Sequence, residues 1–370
     1  MKTKHAFILT LASCMLSTLV MATTWTVSNN PERPAQFTSI QEAIDAAALN
    51  DTILITGETY GSSTGGGSIT LVKPLVFYGE AATGTGAFPT TTLSSTSIQI
   101  TRFNPTLSAS GSRFYGINFA SSSSVSINGS FSGSQTGQRT MSDIIFERCR
   151  FSGSGNLSFS IQDGISDVTV RNCIFEGSGN PSFSGNGNLL SSIVFTNNIF
   201  SNSGSSFSGS VNLQGNVVVR NCLFLNNTNN AFSSISQLVL ENNIFYRAEP
   251  TGCNTCTFNN NLTWLSNAPE IPYGNNLGSG NIVNQNPLFV NYPELGANWS
   301  IGHDYTLQDG SPAIGTGTNG TDMGLNSGNA PVSNIPRFPK IPGVTELNIP
   351  VSSVPVGGTL QINVQAVARD

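Results

Sequence analysis

Charge is what this 370-residue chain has least of: 9% of its residues are Asp, Glu, Lys or Arg. Lysine occurs only at 2, 4, 73 and 340, which leaves most of the chain without a lysine base. Histidine is confined to His5 and His303. With so few histidines and no second Cys-x-x-Cys, Cys253-Asn-Thr-Cys256 lacks the partners of a structural zinc site. A net charge of −5 and a sequence pI near 5.1 exclude the electrostatic footprint of a nucleic-acid binder. Beyond the N-terminal leader, no apolar run is long enough to span a bilayer.

What is present is a repeat. Ile144 to Phe151, Val168 to Phe175, Ile193 to Phe200, Val217 to Phe224 and Leu238 to Phe245 share one pattern: apolar, x, apolar, x, x, Cys or Asn, x, Phe. A looser copy runs from Cys256 to Thr263, with Thr in the Phe slot. Copies start 18 to 25 residues apart, the period of a solenoid. Slots 1 and 3 are two apart, so both side chains point inward from a strand. Slots 6 and 8 begin a second short strand. The Asn-rich slots 4 to 6 form a bend between them, because Asn tolerates a left-handed backbone. Phe159, Phe183, Phe207 and Phe232 follow at near-constant offsets and mark a third strand.

Three short strands per turn predict an all-β, right-handed parallel β-helix, the hand following from the crossover rule. A β-sandwich or propeller would need antiparallel hairpins with alternating polar outer faces; identical inward slots at one period favour the helix. The Phe residues should stack at about 4.8 Å per coil. So should the column of Cys149, Cys173, Asn198, Cys222, Asn243 and Asn261. Cys149 and Cys173 adjoin in it, too far apart at Cβ for an unstrained disulfide.

Three segments are expected: a signal peptide over 1–22, the β-helix over 23–330, and a Pro-rich linker with a short β tail over 331–370. Lys2 and Lys4 precede the apolar run Ala6 to Met21, with a cleavage site at Val20-Met-Ala22. Leu11-Ala-Ser-Cys14 also resembles a lipoprotein cleavage box that would leave Cys14 lipidated. Both readings place the protein outside the cytoplasm, secreted or on the cell envelope. Phe37, Ile40, Ile44 and Ala47 share a helical face, and Ser39 with Glu42 spells a capping box. This short helix is expected to close the solenoid's open N-terminal end.

Phe37-Thr-Ser-Ile-Gln-Glu-Ala-Ile44, Asp51-Thr-Ile53, Thr59-Tyr60 and the Lys73-Pro74 strand together resemble the start of secreted parallel β-helix proteins of the pectate-lyase-like superfamily. Asn286 to Val290, Asp304 to Leu307, Asp309 to Gly315 and Asp322 to Gly324 resemble the terminal coils of bacterial surface members. The resemblance covers about residues 24 to 325. It implies the fold, but not one activity, since this fold hosts enzymes and non-enzymes. Lyases of the superfamily use a Lys or Arg base, often with calcium. Here only Arg148, Arg150, Arg171 and Arg220 could serve. Slot 4 reads Glu147, Arg171, Thr196, Arg220, Glu241, an outer charge ladder in which acid adjoins base. The hydrolase signatures Gly-His-Gly and Arg-x-Lys are missing; Gly302-His303-Asp304 echoes them only in part, and His303 reads as a loop residue. Asp143 and Asp167 precede slot 1 in adjacent coils, where they could share a calcium ion or stand as solvated turn residues. No other cofactor is implied. Cys253 and Cys256 suit a local disulfide.

The reading is therefore a secreted or surface-attached protein without catalysis, structural, adhesive or glycan-binding. The alternative is a lyase or glycoside hydrolase acting on acidic polysaccharide. Arg171, Arg220, Tyr246 and Arg247 are the candidate glycan contacts, with Tyr246, Tyr273 and Trp299 as stacking aromatics. Slot 7 points outward yet holds Ile174, Ile199, Leu223 and Ile244 after Arg150. Such a stripe needs a cover: the Pro-punctuated segment 335–356 folded back, or another protein chain.

Overall fold

The computed structural model describes residues 22–84, 89–102, 107–129, 140–202, 204–227, 229–332, 343–348, 357–360 and 362–367. The leader, with Cys14, lies outside them, as does all of 335–356 except 343–348. The chain winds as a parallel β-helix whose first, second and third sheets hold 10, 9 and 7 strands. One coil shows the plan: Met141–Glu147 in the first sheet, Arg150–Phe151 in the second, Asn156–Ile161 in the third. Each strand pairs with its counterpart a coil away, as Ile144 does with Val168 and Phe151 with Phe175.

Aromatic ladders fill the interior. Phe119, Phe151, Phe175, Phe200, Phe224 and Phe245 stack with centroids 4.4 to 5.0 Å apart. The third-strand ladder breaks. Phe159 stacks on Phe183 at 4.6 Å, but Phe183 pairs with Gly209, not Phe207. Phe207 lies two residues before that partner, so it still faces inward but a step away from the Phe183 ring, and it turns edge-on to Phe195. The predicted helix is Ile40–Ala46, with Ile40, Ala43 and Ile44 in the same core. The Ser39 side chain makes no capping bond, so the capping box does not form.

The Cys/Asn column is an internal hydrogen-bond ladder. Asn243 Oδ1 accepts from Cys222 N at 2.9 Å, while its Nδ2 donates to Val219 O and to Asn261 Oδ1, each at 2.9 Å. Asn198 serves Cys173 N and Val170 O in the same way, at 2.8 and 2.9 Å. Asn261 donates Nδ2 to Leu240 O, and the column extends one coil further than the repeat reveals, to Asn281. Cys149, Cys173 and Cys222 occupy the same column as buried thiols that donate to carbonyls of the preceding coil. Burial pushes the Cys222 thiol up to about 12, which keeps it protonated and unreactive.

The left-handed corner falls in slot 5. Arg148, Asn172, Asn197, Asn221, Asn242 and Asn260 all have φ between 51° and 57°. Their side chains point out of the coil, where the C-terminal part of the chain meets them. Residues 286–325 were expected to resemble terminal coils, but the coils end with the bridges of Leu277 to Thr257 and Ile282 to Leu262. Phe289–Asn291 then pairs antiparallel with Asp304–Leu307. From there the chain runs back outside the second sheet as a strap, residues 316–332.

That C-terminal region covers the slot-7 stripe. Ile174, Ile199, Leu223 and Ile244 are buried in a second core with Phe289, Tyr305, Ala313, Met323 and Leu325. The cover is thus 289–332 of the same chain, upstream of the 335–356 segment first considered, and the stripe is not open to a partner chain. The asparagine corners clamp the strap. Asn260 Nδ2 donates to Thr316 O, and Asn242 Oδ1 accepts from Thr318 N. Asn221 Nδ2 reaches Asp322 O and Gly324 O, Asn197 Nδ2 reaches Leu325 O and Ser327 O, and Asn172 Nδ2 reaches Ala330 O. Ordering the strap costs about 1–2 kcal/mol per residue, and each large buried aliphatic returns about 1.5–3 kcal/mol. Met323 and Leu325 are the strap's buried large aliphatics, so the amide clamps matter to the balance.

Two outcomes follow from these ladders. Asn243→Leu orphans Cys222 N and Val219 O, at about 1–3 kcal/mol for each unpaired group; urea unfolding should show a loss of that order. Leu223→Ala should cost about 2–5 kcal/mol although the side chain leaves the coil outward. A loss near that of an exposed site, roughly 0.5 kcal/mol, would show the stripe uncovered in solution.

Candidate functional site

The last described residues of the strap border a cleft. Along the outer face of the first sheet, slot 4 continues toward the N-terminus as Leu54, Tyr78 and Tyr115 before Glu147, Arg171, Thr196, Arg220 and Glu241. Tyr78, Tyr115, Glu147, Arg148, Arg171 and Asn172 line one side of a cleft of about 440 Å³, and Asn329, Ala330 and Pro331 of the strap line the other. The phenol rings stack at 4.7 Å with planes 15° apart, as strand pairing of equivalent positions requires. A shallower groove of about 250 Å³, lined by Leu54, Ile55 and Glu80 among others, adjoins it through Tyr78.

The charges in the cleft are paired. Arg171 donates Nη2 at 2.6 Å and Nε at 3.0 Å to Glu147 Oε2. The Glu147 side chain is 8% exposed and that of Arg171 35%. Arg148 Nε lies 4.0 Å from Glu147 Oε1. The buried carboxylate depends on these guanidinium partners, since a lone buried charge is costly. Burial, reinforced by the Glu147 charge, raises the Tyr78 phenol above its ordinary range. Burial raises Tyr115 likewise, with Tyr78 and Glu147 adding to it and Arg113 and Arg171 opposing. Both phenols are therefore neutral donors and acceptors near pH 7.

Of the four candidate glycan contacts, only Arg171 lines this cleft. Arg220 and Glu241 are register partners, but Glu241 Oε1 accepts from the strap's Thr318 hydroxyl at 2.6 Å. Tyr246 is not an exposed stacking ring: it is 2% exposed, packs on Phe289 and donates to Glu294 O at 2.9 Å. Arg247 is exposed and ties Leu295 O at 2.9 Å. The other aromatics are engaged too. Tyr273 lies against Phe258 and donates to Cys253 O, and the Arg150 guanidinium sits 5.3 Å from the centre of the half-buried Trp299. The calcium pairing of Asp143 with Asp167 gives way to an ion pair, since both Asp143 oxygens take Arg113 Nη2 at 2.7 Å. Among the described residues, no group of three acidic, histidine or cysteine side chains converges as for a metal. His303 Nδ1 lies 3.2 Å from the Tyr305 hydroxyl under the hairpin, away from the cleft lining, and Cys253 and Cys256 are thiols.

Sequence reasoning missed Tyr78 and Tyr115. They precede the clear repeats, and their common slot shows only once the register is known.

No family model and no curated protein matches this chain. Among solved structures, it is similar to an alginate lyase from Paenibacillus sp. str. FPU-7, at 13% identity over 66% of this chain and 96% of that one, with a TM-score of 0.32. It is also similar to the pectin methylesterase from Aspergillus niger in deglycosylated form, at 14% identity over 70% and 85%, with a TM-score of 0.34. Neither likeness bears on the chemistry of the cleft. The strand order itself defines the class: a parallel β-helix with a C-terminal strap along its second sheet.

Replacing Glu147 by Gln removes a charge that raises both phenols. The sign is then fixed: the pKa of Tyr78 and Tyr115 should fall toward the ordinary tyrosine value of about 10. Tyrosine-selective carbon-13 NMR titration reads this directly, and a rise in either pKa would contradict the assigned field.

Proposed function

We propose that this protein is a non-catalytic polysaccharide-binding β-helix of the cell exterior, with the Tyr78–Arg171 cleft as its binding site. One observation carries the reading: the cleft offers phenol hydroxyls, a guanidinium and an amide around a closed Glu147–Arg171 pair. Such a lining suits a hydroxyl-rich ligand better than the mostly apolar one typical of small-molecule pockets. Hydrolysis of a glycosidic bond calls for two carboxylates flanking the bond, and Glu147 is the single carboxylate in the lining. A lyase needs a base free to take a proton, and both guanidinium groups of the lining face Glu147: Arg171 at 2.6 and 3.0 Å and Arg148 Nε at 4.0 Å. Export through the leader 1–22, with or without a lipid at Cys14, belongs to the same reading.

The test is affinity electrophoresis and calorimetry against neutral and uronate polysaccharides, with absorbance monitored for unsaturated products. Binding to at least one polymer is expected, with no product. Tyr115→Ala and Arg171→Ala should each weaken it at least about tenfold, or ~1.4 kcal/mol. Binding that ignores both substitutions, or no binding at all, would remove the cleft from consideration. Accumulating product would restore the lyase reading.

A further inference from the structure

The strap is more than a cover, because its last residues are also a wall of the cleft. We propose that strap docking and cleft occupancy are coupled, with the slot-5 asparagines Asn197, Asn221 and Asn242 as positioning residues for a ligand they do not touch. This rests on the polysaccharide-binding reading for the ligand's identity, but not for the coupling of strap to cleft.

Three observations converge. First, the asparagine clamps stop where the cleft begins. Asn172 is the last, holding Ala330 O at 2.8 Å, and both residues line the cleft. One coil further, slot 5 holds Arg148, a long side chain kept in the left-handed conformation at φ 55°. Strain of this kind concentrates at functional positions. Second, the strap's last described residues bond back to the strap as well as to the coils. Val332 N donates to Leu325 O at 3.0 Å, and Asn326 Nδ2 donates to Val332 O at 3.3 Å. The buried Asn326 Oδ1 finds no partner among the described residues, so the docked loop is not fully satisfied. Third, the strap rests close to the clamp column: a Cβ on Gly328, at φ 86°, would lie 2.6 Å from Asn221 Oδ1. A shift of the clamps therefore moves the wall that carries Asn329, Ala330 and Pro331. Coupling of this kind is reciprocal, so a ligand that uses the wall must also hold the strap down.

The test separates clamp from corner. Asn197→Gly keeps the left-handed corner and deletes the amide that holds Leu325 O and Ser327 O, and Asn197 does not line the cleft. Hydrogen exchange of the Met323, Gly324 and Val332 amides should quicken at least tenfold. Nitration of Tyr78 and Tyr115 by tetranitromethane should accelerate with it. Gly328→Ala, a change on the strap alone, should do the same if Asn197→Gly fails to fold by circular dichroism. Faster strap exchange with unchanged tyrosine reactivity would overturn the coupling, and so would strap exchange that neither variant alters. With a bound polysaccharide identified, saturation should slow the same amides in the wild-type chain and Asn197→Gly should weaken binding; absence of both effects would also overturn it. If the wild-type chain binds no polysaccharide, the functional reading falls, while tyrosine nitration still decides the coupling.

Discussion

The corner between the first and second sheets governs this structure, because it asks one residue per coil to adopt a left-handed backbone. Glycine meets that demand with least strain and offers nothing else. Asparagine meets it at modest cost and keeps an amide on the outside of the coil. From Asn172 to Asn260 the chain uses asparagine at every such corner in the repeats. The amides form an evenly spaced row of donors and acceptors, one per coil. A strand cannot pair there, since the corner interrupts the sheet. An irregular segment can, provided it offers a backbone group at intervals of about one coil. The strap does so with Thr316, Thr318, Gly324, Leu325, Ser327 and Ala330.

The same corner divides the Asn and Cys residues by role. Slot 6 faces in, and there asparagine must satisfy backbone groups that no water can reach. Asn198, Asn243 and Asn261 each bridge two coils. Cysteine fits the same slot because a thiol is small, weakly polar and able to donate to one carbonyl. Slot 5 faces out, and its asparagines bridge coil and strap. One repeated tripeptide thus supplies an internal ladder and an external one, a coil-by-coil division that solenoid repeats permit.

Much of the fold was legible in the sequence because the inward slots recur at a fixed period. Phe151, Phe175, Phe200, Phe224 and Phe245 could be aligned by eye, and the parallel β-helix follows from their spacing. The slot-7 aliphatics also declared that something covers them. What covers them was not legible. Asn172 and Ala330 are 158 residues apart, and the strap's contacts are mostly backbone carbonyls, which carry no side-chain signature. The segment from Asn286 to Gly324 has the turn-rich composition of further coils, so its antiparallel hairpin and its return along the second sheet were hidden. Tyr246 looked like a surface aromatic for the same reason: it follows the inward Phe245 and so faces outward, and the segment that carries Phe289 and Tyr292 takes it out of water.

The cleft was hidden by a different cause. Its members come from four coils and the strap, and no two of the outer first-sheet residues Tyr78, Tyr115, Glu147 and Arg171 share a local motif. They share a column. In a solenoid, function written along the axis appears in sequence as one residue per coil, diluted by everything the coil needs for itself. Insertions between coils blur the count further, as the stretch between Tyr115 and Glu147 does here. The charge ladder of slot 4 was visible where the repeats are regular and invisible where it turns aromatic. That transition, from the paired charges of Glu147 and Arg171 to the stacked phenols of Tyr78 and Tyr115, falls beside the last asparagine clamp, Asn172 on Ala330 O. The cleft and the corner column meet at Asn172, which lines the cleft and holds Ala330 O on its opposite side, so one amide belongs to both rows.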